Sequence, residues 1–180
     1  MDAKQLKGLP VVTIDGGERL GTVNDVLVST DERAVHALTV HSGGRFGGST
    51  NVVEMAAVRS IGSDAVMVQD HTALQTPEAA HRYRQYVPLG DLSNLRVVNE
   101  SGSRVGSVSS VRINEETGAI TALEVVRVGM TGPFRSNLVV PIDAVRSIGL
   151  DAVVVADAAS PGGAPEPPAE TAAPPEEPPA

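Results

Sequence analysis

An internal repeat constrains this chain more than any other feature. Residues 57–70, AVRSIGSDAVMVQD, return as residues 144–157, AVRSIGLDAVVVAD, with 11 of 14 positions identical at a spacing of 87. An earlier block returns at a spacing of 85. Gly17, Arg19, Gly21, Val23 and Val26 become Gly102, Arg104, Gly106, Val108 and Val111, and Ala37, Leu38 and Val40 become Ala122, Leu123 and Val125. The spacing shifts across the glycine-rich stretch 42–51 and its counterpart 127–138, where a surface loop would absorb an insertion. The reading is a duplicated domain: a first copy in residues 1–70, a linker in 71–90, a second copy in 91–157 and a tail in 158–180.

Each copy reads as about six short strands separated by turn signals. In the first copy, Val11–Ile14 is a strand and Asp15-Gly16-Gly17 a turn. A long strand follows from Leu20 to Ser29, with alternation broken at Asn24-Asp25, the mark of a bulge. Thr30–Arg33 turns the chain back into Val35–Val40, and Asn51–Val53 is a fourth strand. Its counterpart Leu138–Val140 ends at Pro141, which stops pairing and opens one helical turn over Pro141–Val145. Arg146–Ile148 and Ala152–Val155 form a last hairpin. Such a set of strands suits a small barrel or sandwich, and barrel closure would remove the apolar edge that Val153-Val154-Val155 otherwise exposes.

In the linker, Thr76 as N-cap and Pro77 at the first helical position predict a short helix to Arg84, broken by Pro88 and Gly90. From Ala158 the chain holds eight prolines, no aromatic residue and four glutamates with no basic residue. That segment buries too little apolar surface to offset its ordering entropy and is expected to be disordered.

The tail therefore carries −4 of the net charge of −8, and the copies share the remaining −4 with mixed signs. An acidic, mixed surface argues against nucleic acid as a partner. No apolar run reaches the ~18 residues of a membrane-spanning helix. The start, Met1-Asp2-Ala3-Lys4-Gln5, has no signal-peptide h-region, so the expected location is the cytoplasm. Cysteine is absent, which excludes disulfides, thiolate metal sites and a cysteine nucleophile.

No catalytic constellation emerges. The histidines are His36, His41, His71 and His81; His36 and His41, five apart on one strand, should face opposite sides and cannot chelate together. Gly43–Gly48 lacks the Lys-Ser/Thr ending of a phosphate loop. The recurring Arg59/Arg146 and Asp64/Asp151 read as an outward arginine and a turn aspartate, and Ser60 and Ser147 have no activating histidine near them. The expectation is no enzyme, no cofactor and no metal. Candidate docking residues are the loop aromatics with their arginines, Arg45-Phe46 and Phe134-Arg135, and the linker tyrosines Tyr83 and Tyr86. The cluster His81–Tyr86 would stack on RNA bases if exposed; packing of the tyrosines between the domains is the plainer reading.

The elements Leu6-Lys7-Gly8-Leu9-Pro10-Val11-Val12, Gly17–Val26, Ala37–Val40 and Val58–Val66, echoed by Arg104-Val105-Gly106 and Ile148–Val153, resemble the PRC-barrel domain. The resemblance implies an all-β chain of two tandem small six-stranded barrels with a short linker helix and a disordered tail. Such domains occur in the photosynthetic reaction-centre H subunit, in the C-terminal half of the ribosome maturation factor RimM and in stand-alone YlmC/YmxH-type proteins. They imply a docking or scaffold role with a protein partner and no catalytic residue to carry over. A ribosome- or RNA-associated factor is the alternative, and a photosynthetic assembly factor a further one. A barrel this small buries a limited share of its surface, so the two copies are expected to pack together as a pseudo-symmetric pair mimicking a homodimer of single-copy relatives, with a homodimer of the chain as the alternative.

Overall fold

The computed structural model describes residues 1–44, 47–76, 82–127 and 137–157. The expected helix over 76–84 lies mostly outside these residues, as does the tail. In the first copy the strands are β1 (Pro10–Thr13), β2 (Arg19–Ser29), β3 (Ala34–Gly44), β4 (Gly47–Glu54), β5 (Val58–Ile61) and β6 (Val66–Val68). Two short strands follow, β7 (Leu74–Gln75) and β8 (Val87–Pro88). The second copy has β9 (Arg96–Asn99), β10 (Arg104–Ile113), β11 (Ile120–Arg127), β12 (Asn137–Pro141), β13 (Val145–Ile148) and β14 (Ala152–Val155).

The two sheets have the same order, β5-β6-β1-β2-β3-β4 and β13-β14-β9-β10-β11-β12. Neighbours run antiparallel except β1 with β6 and β9 with β14, which are parallel. The strands at the two ends of each order, β4 with β5 and β12 with β13, are joined by one 3-10 turn, Met55–Ala57 and Ile142–Ala144. That turn folds the sheet into a barrel. Val153–Val155 is accordingly an inner strand, flanked by β9 and β13.

Each barrel needs its bulges. Val23 pairs with Val40 but Asp25 with Thr39, so Asn24 is an extra residue. The bulge resets the two-residue period, which lets Val23, Val26 and Val28 all point inward. In the second copy Ser109 does the same for Val108, Val111 and Ile113. Further bulges sit at Leu20 and Val105, at His36 and Thr121, and at Arg59 and Arg146, each pair at corresponding positions. Gly21 and Gly106 recur for a steric reason. A Cβ on Gly21 would lie 2.6 Å from the His41 carbonyl oxygen, and one on Gly106 would overlap that of Val126.

Two expectations change. Residues 42–44 and 47–49 are not a loop but continue the β3–β4 hairpin, with Gly43 paired to Gly48 and Gly44 to Gly47. His36 sits in a bulge, so simple alternation does not place it opposite His41. Its ring lies on Tyr86, while His41 stands over Gly48.

The copies meet across a pseudo-two-fold axis. Ala34 of the β2–β3 hairpin bridges antiparallel to Ala119, its own counterpart in the β10–β11 hairpin. The Val35 N–H donates to Gly118 O at 2.9 Å and the corresponding Ile120 N–H to Arg33 O at 2.8 Å. Leu6, Leu9 and Val11 correspond to Leu92, Leu95 and Val97 at a spacing of 86, which places Met1-Asp2 opposite Val87-Pro88. These arms are exchanged. Met1 and Ile113 share two backbone bonds, at 2.8 and 2.9 Å, and Asp2 bridges Arg112. Reciprocally, Val87 pairs with Val28 and Pro88 with Leu27. Behind each arm a helical turn, Ala3–Leu6 or α1 (Leu89–Leu92), buries leucines in one apolar core that runs through both copies. The sheets stay separate, but the core does not.

Candidate protein-interaction site

The copies differ most where the linker crosses the outside of the first barrel. After β6, the Asp70 side chain accepts the Thr72 N–H at 2.7 Å and starts a 3-10 turn, His71–Ala73. The bonds from Thr72 hold that carboxyl below the usual aspartate range. The chain then enters β7, which pairs antiparallel with β4, Leu74 with Val53 and Gln75 with Val52. Beyond residues 77–81, Tyr83 lies on the barrel's outer face against Leu27, Ala37 and Val52. Its hydroxyl donates to Glu54, which lowers the Glu54 pKa; burial, helped by that carboxylate, pushes the Tyr83 phenol up to about 12. Arg82 donates to Gln75 Oε1 at 2.9 Å and ties this segment back to β7.

Tyr86 stacks on His36 with ring centres 4.6 Å apart, and His36 Nε2 lies against the Glu32 carboxylate. Together with Glu54, Tyr83 and Glu116 these residues line an open cleft of about 510 Å³. Three carboxylates border it, a poor setting for phosphate. Of the six residues singled out from sequence, the structure thus brings Tyr83 and Tyr86 together. Tyr83 is buried at 8 % exposure against the first barrel, at a cleft that Glu116 of the second copy also borders. Arg45, Phe46, Phe134 and Arg135 lie outside the described residues. Among the described residues no three His, Asp or Glu side chains are grouped to hold a metal ion, and no helix is long and apolar enough to cross a membrane.

Sequence reasoning missed the groups that make the contacts. Leu74-Gln75 and Val87-Pro88 each add a two-residue strand beside the six strands of the first barrel, and Met1-Asp2 joins the second through an isolated bridge at Asp2. The signal for one pair was available: the 86-residue spacing of Leu6/Leu92 and Leu9/Leu95 sets the two arms at equivalent positions.

Comparison with known proteins agrees with this architecture. The PRC-barrel domain model matches residues 1–75 and again residues 86–160. A solved structure of the 16S ribosomal RNA processing protein RimM from Pseudomonas aeruginosa is 17% identical, covering 74% of this chain and 95% of that one with a TM-score of 0.29. A likeness at that level carries no argument about function. No curated protein matches. The two family matches fall on the two barrels and together span most of the sequence, so this chain belongs to the PRC-barrel domain family, in two tandem copies.

Proposed function

We propose that this chain is a non-enzymatic protein-interaction module that recognises partners by strand addition. One observation carries the reading. Three times within this chain, an extended segment from outside a barrel pairs by backbone hydrogen bonds with a strand of that barrel. Main-chain bonds supply affinity in such contacts, and alternate side chains supply selectivity. The barrel suits the task because its valine-filled interior, with Val11, Val26, Val40, Val66 and Val68 fully buried, holds the receiving strands rigidly.

Affinity purification of the full chain from its native host, with and without nuclease, tests this. The expected result is a stoichiometric protein partner whose recovery resists nuclease and whose contact segment gains amide protection as an extended strand. Recovery that vanishes with nuclease would replace this reading by an RNA-associated one. Absence of any stoichiometric protein would overturn it.

A further inference from the structure

The duplication supplies an internal control for surface cover. In the first copy Val52 on β4 is 1% exposed because β7 pairs beside it and Tyr83 lies over it. The corresponding residue of the second copy, Val139 on β12, is 46% exposed. β12 pairs with β11 on one side, and no described residue pairs with its other edge. An open edge presenting an apolar side chain is a template for another strand.

We propose that the outer edge of β12, unpaired among the described residues, receives an extended segment of a partner protein, added antiparallel as β7 is added to β4. This deepens the strand-addition reading and rests on it. The covered copy shows what fits. A leucine-type residue would pair with Val140 as Leu74 pairs with Val53, and a following aromatic ring would cover Ala122 and Val139 as Tyr83 covers Ala37 and Val52. Arg112 stands where the first copy has Leu27, so the ring would meet a guanidinium, a favourable cation–π contact. Pro141 stands where the first copy has Glu54, so the ring needs no hydroxyl.

The sequence after Asp157 lacks the residues that make this cover in the first copy. The positions matching Leu74 and Gln75 are Pro161 and Gly162, and Pro161 has no N–H to donate. From Ala158 to Ala180 there is no leucine, isoleucine, valine or aromatic residue. The occupant proposed is therefore a segment of another molecule.

A labelled synthetic peptide copying residues 70–86 of this chain is the probe, because the first copy's site for it is already filled. Fluorescence anisotropy with the full chain should show saturable 1:1 binding below about 1 mM peptide. Val139→Lys should weaken it by about tenfold or more. A lysine there stands opposite Glu124, so the variant should keep the wild-type melting curve. Amide exchange at Val139 and Val140 should slow when the peptide is bound. No saturable binding, or equal affinity for the folded Val139→Lys variant, overturns the proposal. So does about tenfold tighter binding by a chain ending at Asp157, which would make the tail the occupant. A native partner recovered equally by wild type and Val139→Lys would discard this edge and leave the interaction reading standing. Failure to recover any protein partner would strike the reading itself.

Discussion

Replacing Gly21 or Gly106 by alanine should lower the stability of the whole chain by similar amounts. At Gly21 an added Cβ would stand 2.6 Å from the His41 carbonyl oxygen and 2.7 Å from Val40 Cγ1. At Gly106 it would overlap the Val126 carbonyl and stand 2.7 Å from Val125 Cγ1. In each case the first obstacle is main chain, which cannot rotate away. Overpacking of this kind costs about 1–3 kcal/mol, and the upper part of that range applies where backbone must shift. Alanine recovers about 0.4–1 kcal/mol by restricting the unfolded chain. The net loss is about 2 kcal/mol per site, or roughly 4–8 °C for a chain of this size. Differential scanning calorimetry of the wild type, both single variants and the double variant measures it. Because one core runs through both copies, each lesion should shift a single transition, and the double variant should fall by about the sum. A two-step melt in which Gly21→Ala moves one step and Gly106→Ala the other would refute the shared core. Unchanged melting would refute the steric account.

Deleting Met1 and Asp2 removes the two backbone bonds to Ile113, and urea denaturation should show a loss of about 1–3 kcal/mol with faster exchange of the Ile113 amide. Gly118→Ala forces a side chain into φ +71° with its Cβ 3.0 Å from Met55 Cγ, and should cost about 1–2 kcal/mol in the same assay. Arg33→Gly, at the corresponding position, relieves φ +53° but loses the guanidinium bonds to the Ile142 and Arg146 carbonyls, both 3.2 Å, and should stay within about 0.5 kcal/mol of wild type. Tyr83→Phe tests the linker contact through pH. The raised Tyr83 pKa means the folded chain keeps its phenol proton after the unfolded chain has lost it, so that stabilisation is full below about pH 10 and disappears as pH rises to about 12. Melting temperatures across that window should fall less steeply in Tyr83→Phe than in wild type. On the acid side the lowered Glu54 pKa contributes stability that is lost as pH falls through its folded value, and Tyr83→Phe should blunt that loss as well. Equal slopes in both would place Tyr83 off Glu54.

The barrels were legible because their signals are local. Val23, Val26 and Val28 break alternation at a definable residue, and the recurrence of Gly21 as Gly106 reports a steric limit that both copies obey. The turn after Pro141 and the final valine hairpin follow from proline chemistry and β-branched packing. The extended β3–β4 hairpin was not legible, because glycines read as loop whenever no side chain reports a pair. The arm exchange left little trace for a related reason. Met1, Asp2, Val87 and Pro88 are joined to the opposite copy through main-chain atoms that every sequence carries. Tyr83 and Tyr86 were visible as the linker's aromatics, but the surface they cover, Leu27, Ala37 and Val52, is apparent only once the bulge at His36 turns Ala37 outward while Val35 stays inside.

The central claim is that the two copies meet by reciprocal strand pairing about an axis through Ala34 and Ala119. The pair at that axis is of the close, non-hydrogen-bonded antiparallel kind, flanked by the Val35–Gly118 and Ile120–Arg33 bonds. Nuclear Overhauser spectroscopy on the full chain tests this directly. The account predicts a strong cross-peak between the Hα atoms of Ala34 and Ala119, with slowly exchanging Val35 and Ile120 amides. Absence of that cross-peak, with both amides exchanging at the rate of solvent-exposed turns, would contradict it.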